Sequence, residues 1–321
     1  ARTCLPGSRQ LGLSLVEFMV AIGISMVLVL VAASMYLATR ESQRSIDQAS
    51  SAHETGAYAL RLIGRDILNA GFYPAVRPAS ADLANLPSAY TNITGRTAYD
   101  FGVFGCEGAP FDPATRTCGA PASGAPDTLV IGYFTDDSFG TSMGQRADCT
   151  GRDVAAAAEN TSRVGTGSAS APPIQPLFVA NHYTLVATTM NIDGRSRATR
   201  SLACLGNGAA AAGYQPLSAG IDDLQFTYAV FSDSSRVPER FYTASEVNAL
   251  DTLSIDGETL QPWARVVAVR VCVIARSYEA RAALTTDTYE DCNGAQKPGD
   301  GSLRKTYTQV FGLRNRQTRS Y

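Results

Sequence analysis

The sequence predicts an α+β protein in which one long amino-terminal helix, membrane-spanning in its first half, packs on a mostly antiparallel carboxy-terminal β-sheet. Three observations predict it. No charged residue separates Glu17 from Arg40 in "EFMVAIGISMVLVLVAASMYLATR", the pattern stays helix-compatible to about Ala70, and strand-like runs then recur to the end of the chain.

The apolar run comes first. About 25 residues from Leu13 to Leu37 span roughly 37 Å as a helix, more than the ~30 Å hydrocarbon core of a bilayer. An ionisable residue in such a span costs up to about 3 kcal/mol near the centre and less near an interface, so Glu17 is a candidate functional residue that needs a partner. Further on, "HETGAYALRLIGRDILNAGFYP" places Leu60, Ile63, Ile67 and Leu68 on one face before Gly71 and Pro74 stop the helix. A continuous helix from Leu13 to about Ala70 is roughly 85 Å long, and its second half offers a stripe for a sheet. Gly56 and Gly64 each weaken it by about 1 kcal/mol against Ala and read as close contacts with that sheet.

Tyr73 to Pro126 is rich in Pro, Gly, Ala and Asn and reads as a connecting excursion, with "CEGAPFDPATRTC" as a stapled loop. Strand-like runs follow at Asp127 to Thr135, His182 to Met190, "SLACL" around Cys204, Leu224 to Phe231 and Arg265 to Arg276, and "RKTYTQVFGLRN" closes the sheet. "IDGR" at Ile192 to Arg195 reads as a turn, "TASEVNAL" at Thr243 to Leu250 as a short helix, and Ala155 to Ser170 and Gly206 to Gly213 as loops.

Cys4 precedes the apolar run, whereas Cys106, Cys118, Cys149, Cys204, Cys272 and Cys292 follow it. An even set suits complete pairing in an oxidising compartment such as a bacterial periplasm, and the absence of any CxxC or Cys/His cluster argues against zinc. Many connectivities are open. Pairing of neighbours (Cys106 with Cys118, Cys149 with Cys204, Cys272 with Cys292) is favoured because sequence-near pairs close first, each stabilising by about 3 to 4 kcal/mol in the loop-entropy model. The 27 basic and 29 acidic residues lack the concentrated basic surface that a phosphate backbone demands, so no nucleic-acid role is expected. Arg2 and Arg9 before the helix and cysteines after it orient a single span with its amino end cytoplasmic and its body periplasmic.

"LGLSLVEFMVAIG" resembles the type III signal of type IV prepilins: a Gly, then an apolar helix with Glu five places on. "YALRLIGRDILNAGFY", "GIDDLQFTYAV", "VVAVRVCVIARS" and "VFGLRNR" are similar to segments of PilW-type minor pilins. The resemblance implies a pilin-like fold with a cytoplasmic leader at 1–12, a transmembrane and filament-core helix at 13–39, its amphipathic continuation at 40–71 and a periplasmic disulfide-bonded domain at 72–321. It implies that prepilin peptidase cuts after Gly12 and methylates the new amino terminus at Leu13, where Phe or Met is commoner. It implies no cofactor, no enzymatic activity, and a role in priming or joining the tip of a type IV pilus with other minor pilins, the major pilin and a tip adhesin. Glu17 then pairs with the freed amine of a neighbouring subunit, a gross attraction of about 4 kcal/mol at 4 Å and an effective dielectric near 20. The alternatives are a J-type minor pseudopilin of type II secretion and, more remotely, a membrane-anchored periplasmic binding or hydrolytic domain.

Enzyme signals are thin. "GTSMG" at Gly140 to Gly144 matches GxSxG with Ser142, yet no strand precedes it and no helix follows, and only His53 and His182 could serve as base. Asp287, Glu290 and Asp291 in "TTDTYEDCNG" do not fit EF-hand spacing and read as solvated loop carboxylates. Asn92 and Asn160 sit in NxS/T patterns that matter only in glycosylating systems.

Overall fold

A computed structural model describes residues 14–72, 102–115, 117–136, 147–154, 176–192, 195–208, 213–255, 257–280 and 288–317. The chain divides into two compact units, Ala1–Ser50 and Ser51–Tyr321, and helix α1, Leu15–Asn69, passes through the boundary. No proline lies between Pro6 and Pro74 to interrupt it. It ends where Gly71 takes a φ of 69°, a left-handed conformation that a side chain disfavours, and the Phe72 N–H returns to the Asn69 carbonyl.

In the first unit the apolar side chains of α1 are exposed, from Leu15 through Leu30 to Leu37. The hydroxyls among them bond back to the helix itself: Ser34 Oγ to Val31 O and Thr39 Oγ1 to Met35 O, each at 2.8 Å, and Ser25 to the carbonyl of Ala21. A helix that satisfies its own hydroxyls and shows an uncharged apolar surface suits a hydrocarbon surrounding. It is the one described helix long and apolar enough to cross a membrane.

The second unit runs, in chain order, β1 (Val103–Cys106), β2 (Phe111–Asp112), β3 (Thr117–Cys118), β4 (Thr128–Asp136), β5 (Pro176–Ile192), β6 (Arg195–Gly206), β7 (Gln215–Ala219), β8 (Ile221–Phe231), β9 (Pro238–Tyr242), helix α2 (Ala244–Asn248), β10 (Leu253–Ile255), β11 (Glu258–Leu260), a 3₁₀ turn at Pro262–Arg265, β12 (Val266–Ala280), β13 (Thr288–Glu290), β14 (Gln296–Pro298), β15 (Ser302–Gly312) and helix α3 (Arg314–Gln317). Every strand pair described is antiparallel. Helix α2 starts on a reciprocal cap, in which Thr243 Oγ1 accepts the Glu246 N–H and the Glu246 carboxylate accepts the Thr243 N–H.

The expected single sheet is divided into two main sheets, ordered β1-β4-β5-β6-β7 and β15-β12-β8-β9, with β2-β3, β10-β11 and β13-β14 as separate two-stranded ribbons. Gly220 makes the change of sheet. At a φ of 83° it turns the chain from β7 into β8, donating its N–H to Arg200 O in the first sheet at 3.0 Å and accepting the Arg276 N–H of the second at 2.9 Å. Alternating residues tell which face of a strand is buried and leave its neighbour unspecified, which is why this division escaped the sequence. The excursion expected from Tyr73 to Pro126 also needs correction, because Val103–Cys106 forms β1, paired with β4 from Val103↔Ile131 to Cys106↔Thr128. A four-residue run containing Gly105 is too short to show a period of two. His182, expected to open a strand, lies within β5. The Ile192↔Arg195 pair closes the β5–β6 hairpin, and the two residues between them lie outside the described residues.

One core serves both sheets and the second half of α1: Leu60, Ile63 and Ile67 of the helix, Leu129, Ile131 and Leu202 of the first sheet, and Leu224, Phe226, Val269, Val271 and Val273 of the second are all buried. Each such side chain contributes about 1.5 to 3 kcal/mol. Leu68, expected on the same stripe, is only partly buried, and its place is taken by Asp66.

Candidate functional site

Gly12 and Leu13 lie outside the described residues. Glu17 stands in the first turn of α1, where four backbone N–H groups lack helical partners and the dipole is positive, and its Oε2 accepts the Ser14 N–H at 2.9 Å. That bond occupies one carboxylate oxygen. Its charge has no cationic partner among the described residues, and the nearest basic residue along α1 is Arg40.

In the second unit, α1 is held to the sheets by three devices. The first is Asp66, fully buried, whose Oδ2 accepts Tyr183 O–H and Asn181 Nδ2–H, each at 2.6 Å, both from β5. The exposed Arg65 approaches the other oxygen at 3.4 Å. Burial pushes the Asp66 carboxyl above the usual carboxylate range, against the opposing pull of Tyr183, Arg65 and Asn181. Tyr183 rises well above its ordinary value from the same burial and from the charge of Asp66.

The second device is close approach. A methyl group on Gly56 would strike the ring of Tyr307, and one on Gly64 the ring of Phe311, so both glycines are contact points with β15. Eight helical residues rise about 12 Å and four strand residues about 13 Å, so this part of α1 runs along β15 in the same direction. The third is a side-chain cap: Asn315 Nδ2, from α3, reaches the last carbonyls of α1, Leu68 O and Asn69 O, and that of Ala70 just beyond, the nearest, at 3.1 Å.

Three disulfides hold the sheets' connections: Cys106–Cys118 from the end of β1 to β3, Cys149–Cys204 from a loop to β6, and Cys272–Cys292 from β12 to the turn before β14, with Cα separations of 5.5, 6.3 and 5.9 Å. Beside the first, Asp127 stitches the two sheets. Its carboxylate accepts the Gly108 N–H at 2.8 Å and the Phe226 N–H of β8 at 2.9 Å, while its carbonyl accepts Thr184 Oγ1–H of β5. Burial raises this carboxyl to about 6, with Glu107 and Asp223 adding to the rise against two backbone N–H bonds. The folded state therefore holds a proton that the unfolded chain has released between about pH 4 and 6, and stability falls as pH rises through that window by up to about 3 kcal/mol. Asp127→Asn is thus expected to gain stability relative to the wild type as pH rises from 4 to 7, on top of a constant loss from one forfeited backbone bond. Urea unfolding midpoints of the two proteins across that range measure it, and a difference that does not vary with pH rejects it.

The residues considered for catalysis are not assembled. Ser142 lies outside the described residues, as do Asp287, Asn92 and Asn160. His53 is exposed on α1, with its ring 5.5 Å from Tyr307. His182 is buried, stacked on Phe111 at 5.1 Å with Nδ1 2.8 Å from Leu205 O, and burial lowers its pKa to about 4, so at neutral pH it is an uncharged core imidazole. Asp291 caps its own turn, accepting the N–H groups of Asn293 and Ala295, with Lys297 at 3.4 Å. No group of three His, Cys, Asp or Glu that could hold a metal occurs among the described residues.

Asp66, Asp127, Gly220 and Asn315 were not singled out from the sequence. Only Asp66 left a trace there. It falls at i+3 from Ile63 and beside Ile67, a carboxylate where the apolar stripe should continue.

Residues 183–315, from β5 through Asn315, match the family model described as type IV pilus-assembly protein W. A solved structure of a type IV-like pilin from Thermus thermophilus aligns with 85% of this chain and 97% of its own, at 9% identity and a TM-score of 0.33. No curated protein sequence matches the chain.

Proposed function

We propose that this chain is a minor pilin that primes or joins the tip of a type IV pilus. The family match over residues 183–315 carries the reading. It is supported by what precedes the matched region: a helix with an uncharged apolar surface and a lone carboxylate in its first turn. Prepilin peptidase cuts after Gly12, and the amine freed at Leu13 is methylated. The apolar half of α1 anchors the chain in the inner membrane with the disulfide-bonded unit in the periplasm. There the helix bundles with those of other minor pilins and the major pilin, and a tip adhesin completes the complex. Glu17, offset from its own amine by four residues, pairs with the amine of a subunit one step away, so that correct stagger is the arrangement that leaves no buried charge unpaired.

The role is structural, in keeping with the pilus-assembly description of the matched family and with His182 serving as a core side chain stacked on Phe111. The matched family's pilus-assembly description favours a pilus over a type II secretion pseudopilus. Amino-terminal sequencing of the membrane-extracted protein tests the processing step. The wild type is expected to begin at Leu13, and Gly12→Phe to retain the residues before it. A wild-type protein that still carries Gly12 overturns the reading.

A further inference from the structure

Four strands lie at the edges of the two sheets, and three of them are closed to further pairing. Strand β1 is only four residues long. Strand β7 carries Pro216 and a register shift against β6 at Leu202/Ala203, and β9 carries Pro238 and a shift against β8 at Ala229/Phe231. Short length, proline and irregular register are the usual means by which proteins blunt an edge. Strand β15 is eleven residues long and has no proline, its one register shift against β12 falls at its start between Arg276 and Ala280, and the charge it keeps is Lys305. It pairs with β12 without interruption from Arg276↔Arg304 to Ala268↔Gly312, and Lys305, Thr306, Thr308, Gln309 and Val310 are exposed.

The direction of its free groups follows from its two ends. Leu303 N–H donates to Ser277 Oγ at 3.0 Å and Leu313 N–H to Val267 O at 2.8 Å, so odd-numbered residues turn their backbone groups toward β12. In a regular strand the even-numbered ones turn the other way. The N–H and C=O of Thr306, Thr308 and Val310 therefore point out from the sheet, in line and without partners among the described residues.

The charge left without an ion pair on this strand, among the described residues, is positive. Strand β15 carries Arg304 and Lys305 and no acid. Arg304 is neutralised by Asp222 at 2.6 Å and Asp300 at 2.8 Å, whereas Lys305 makes no ion pair among the described residues and lies 5.7 Å from the Tyr307 ring. A second cationic strand, including β15 of another copy in any register that opposes Lys305 to Arg304 or Lys305, is repelled.

We propose that the outer edge of β15 is a docking site for an extended, acidic segment of another protein chain, which adds a fifth strand to the β15-β12-β8-β9 sheet. The three outward residues supply its backbone bonds. Lys305 selects a carboxylate on its face of the incoming strand. The inference goes beyond the proposed function and does not rest on Glu17 or on processing, so its failure would leave the minor-pilin reading standing.

The test uses the full chain in detergent micelles and the capped peptide Val-Glu-Val-Thr-Val-Glu-Val, with a counterpart in which both Glu are Lys. Hydrogen–deuterium exchange of the amides in residues 302–312 is expected to slow by about tenfold or more with the acidic peptide and to stay unchanged with the lysine peptide. Thr308→Pro removes an N–H that points away from β12 and is expected to lose the protection while the thermal transition remains cooperative. Lys305→Glu, an exposed change that leaves the ladder intact, is expected to weaken protection by the acidic peptide and admit the lysine peptide. Unchanged exchange with the acidic peptide, equal protection by both peptides, or protection that rises with protein concentration in the absence of peptide, as a second copy on the edge would give, each overturns the proposal.

Discussion

Replacing Glu17 by alanine is expected to leave membrane insertion and cleavage after Gly12 unchanged and to reduce piliation by at least about tenfold. The gross attraction of a Glu17–amine pair is about 4 kcal/mol at an effective dielectric near 20, and every 1.4 kcal/mol lost is about tenfold in an association equilibrium. Alanine also removes the acceptor of the Ser14 N–H, so the variant alone mixes two roles. Glu17→Gln separates them. Its side-chain oxygen still accepts the Ser14 bond, but it carries no charge to meet an amine. If pairing between subunits is the role, Gln fails as Ala does; restoration by Gln would assign Glu17 to capping its own helix. Counting surface pili by electron microscopy, with the membrane-extracted protein quantified alongside, reads the result. Normal piliation in Glu17→Ala would end the pairing mechanism.

The largest effect on stability is expected at Asp66. Asp66→Leu leaves the Tyr183 hydroxyl and the Asn181 amide buried without their shared acceptor, at a cost of about 1 to 3 kcal/mol for each. A loss of about 2 to 6 kcal/mol is expected. Asp66→Asn should lose far less. Its amide oxygen accepts the same two bonds, and burial already pushes the native carboxyl toward its neutral form, which the amide imitates. Because the folded-state pKa is raised, the proton-linked part of wild-type stability is present at low pH and lost as pH rises through it, so the Asn variant gains on the wild type toward high pH. Chemical denaturation of both variants measures the difference, and a leucine variant as stable as the asparagine one would show that the bonds to β5 contribute nothing net.

This buttress matters for the proposed function because α1 carries any load between its apolar half and the sheets. Tyr183 and Asn315 lie at the two ends of the family-matched region, and both touch the second half of α1 or its last carbonyls. Several residues of the 183–315 segment hold the helix: Tyr183 of β5 on Asp66, Tyr307 and Phe311 of β15 on Gly56 and Gly64, and Asn315 on the helix end.

Much of the architecture was legible because it depends on local pattern. An uncharged run without proline makes a helix wherever it lies, and the stripe of Leu60, Ile63 and Ile67 repeats at helical spacing. The β8 and β12 strands alternate over their middles, Leu224 to Tyr228 and Val267 to Val273, and the Thr243–Glu246 cap can be read three residues apart. Shorter elements could not be read. Strand β1 gains its identity from β4, and β9 from β8, since neither is long enough to show a period of its own.

From its residues alone the chain determined one long helix with a carboxylate at its apolar start, followed by antiparallel strands with six cysteines available for pairing, because helix and strand periods are properties of neighbours along the chain. Only the tertiary structure decided that the strands form two sheets, that Gly220 and Asp127 join them, and that Asp66 and Asn315 fasten the helix. Those outcomes depend on which groups meet from far apart in the chain, Arg200 with Gly220 or Asp66 with Tyr183, and on whether burial leaves each polar atom a partner, and no local spacing records that.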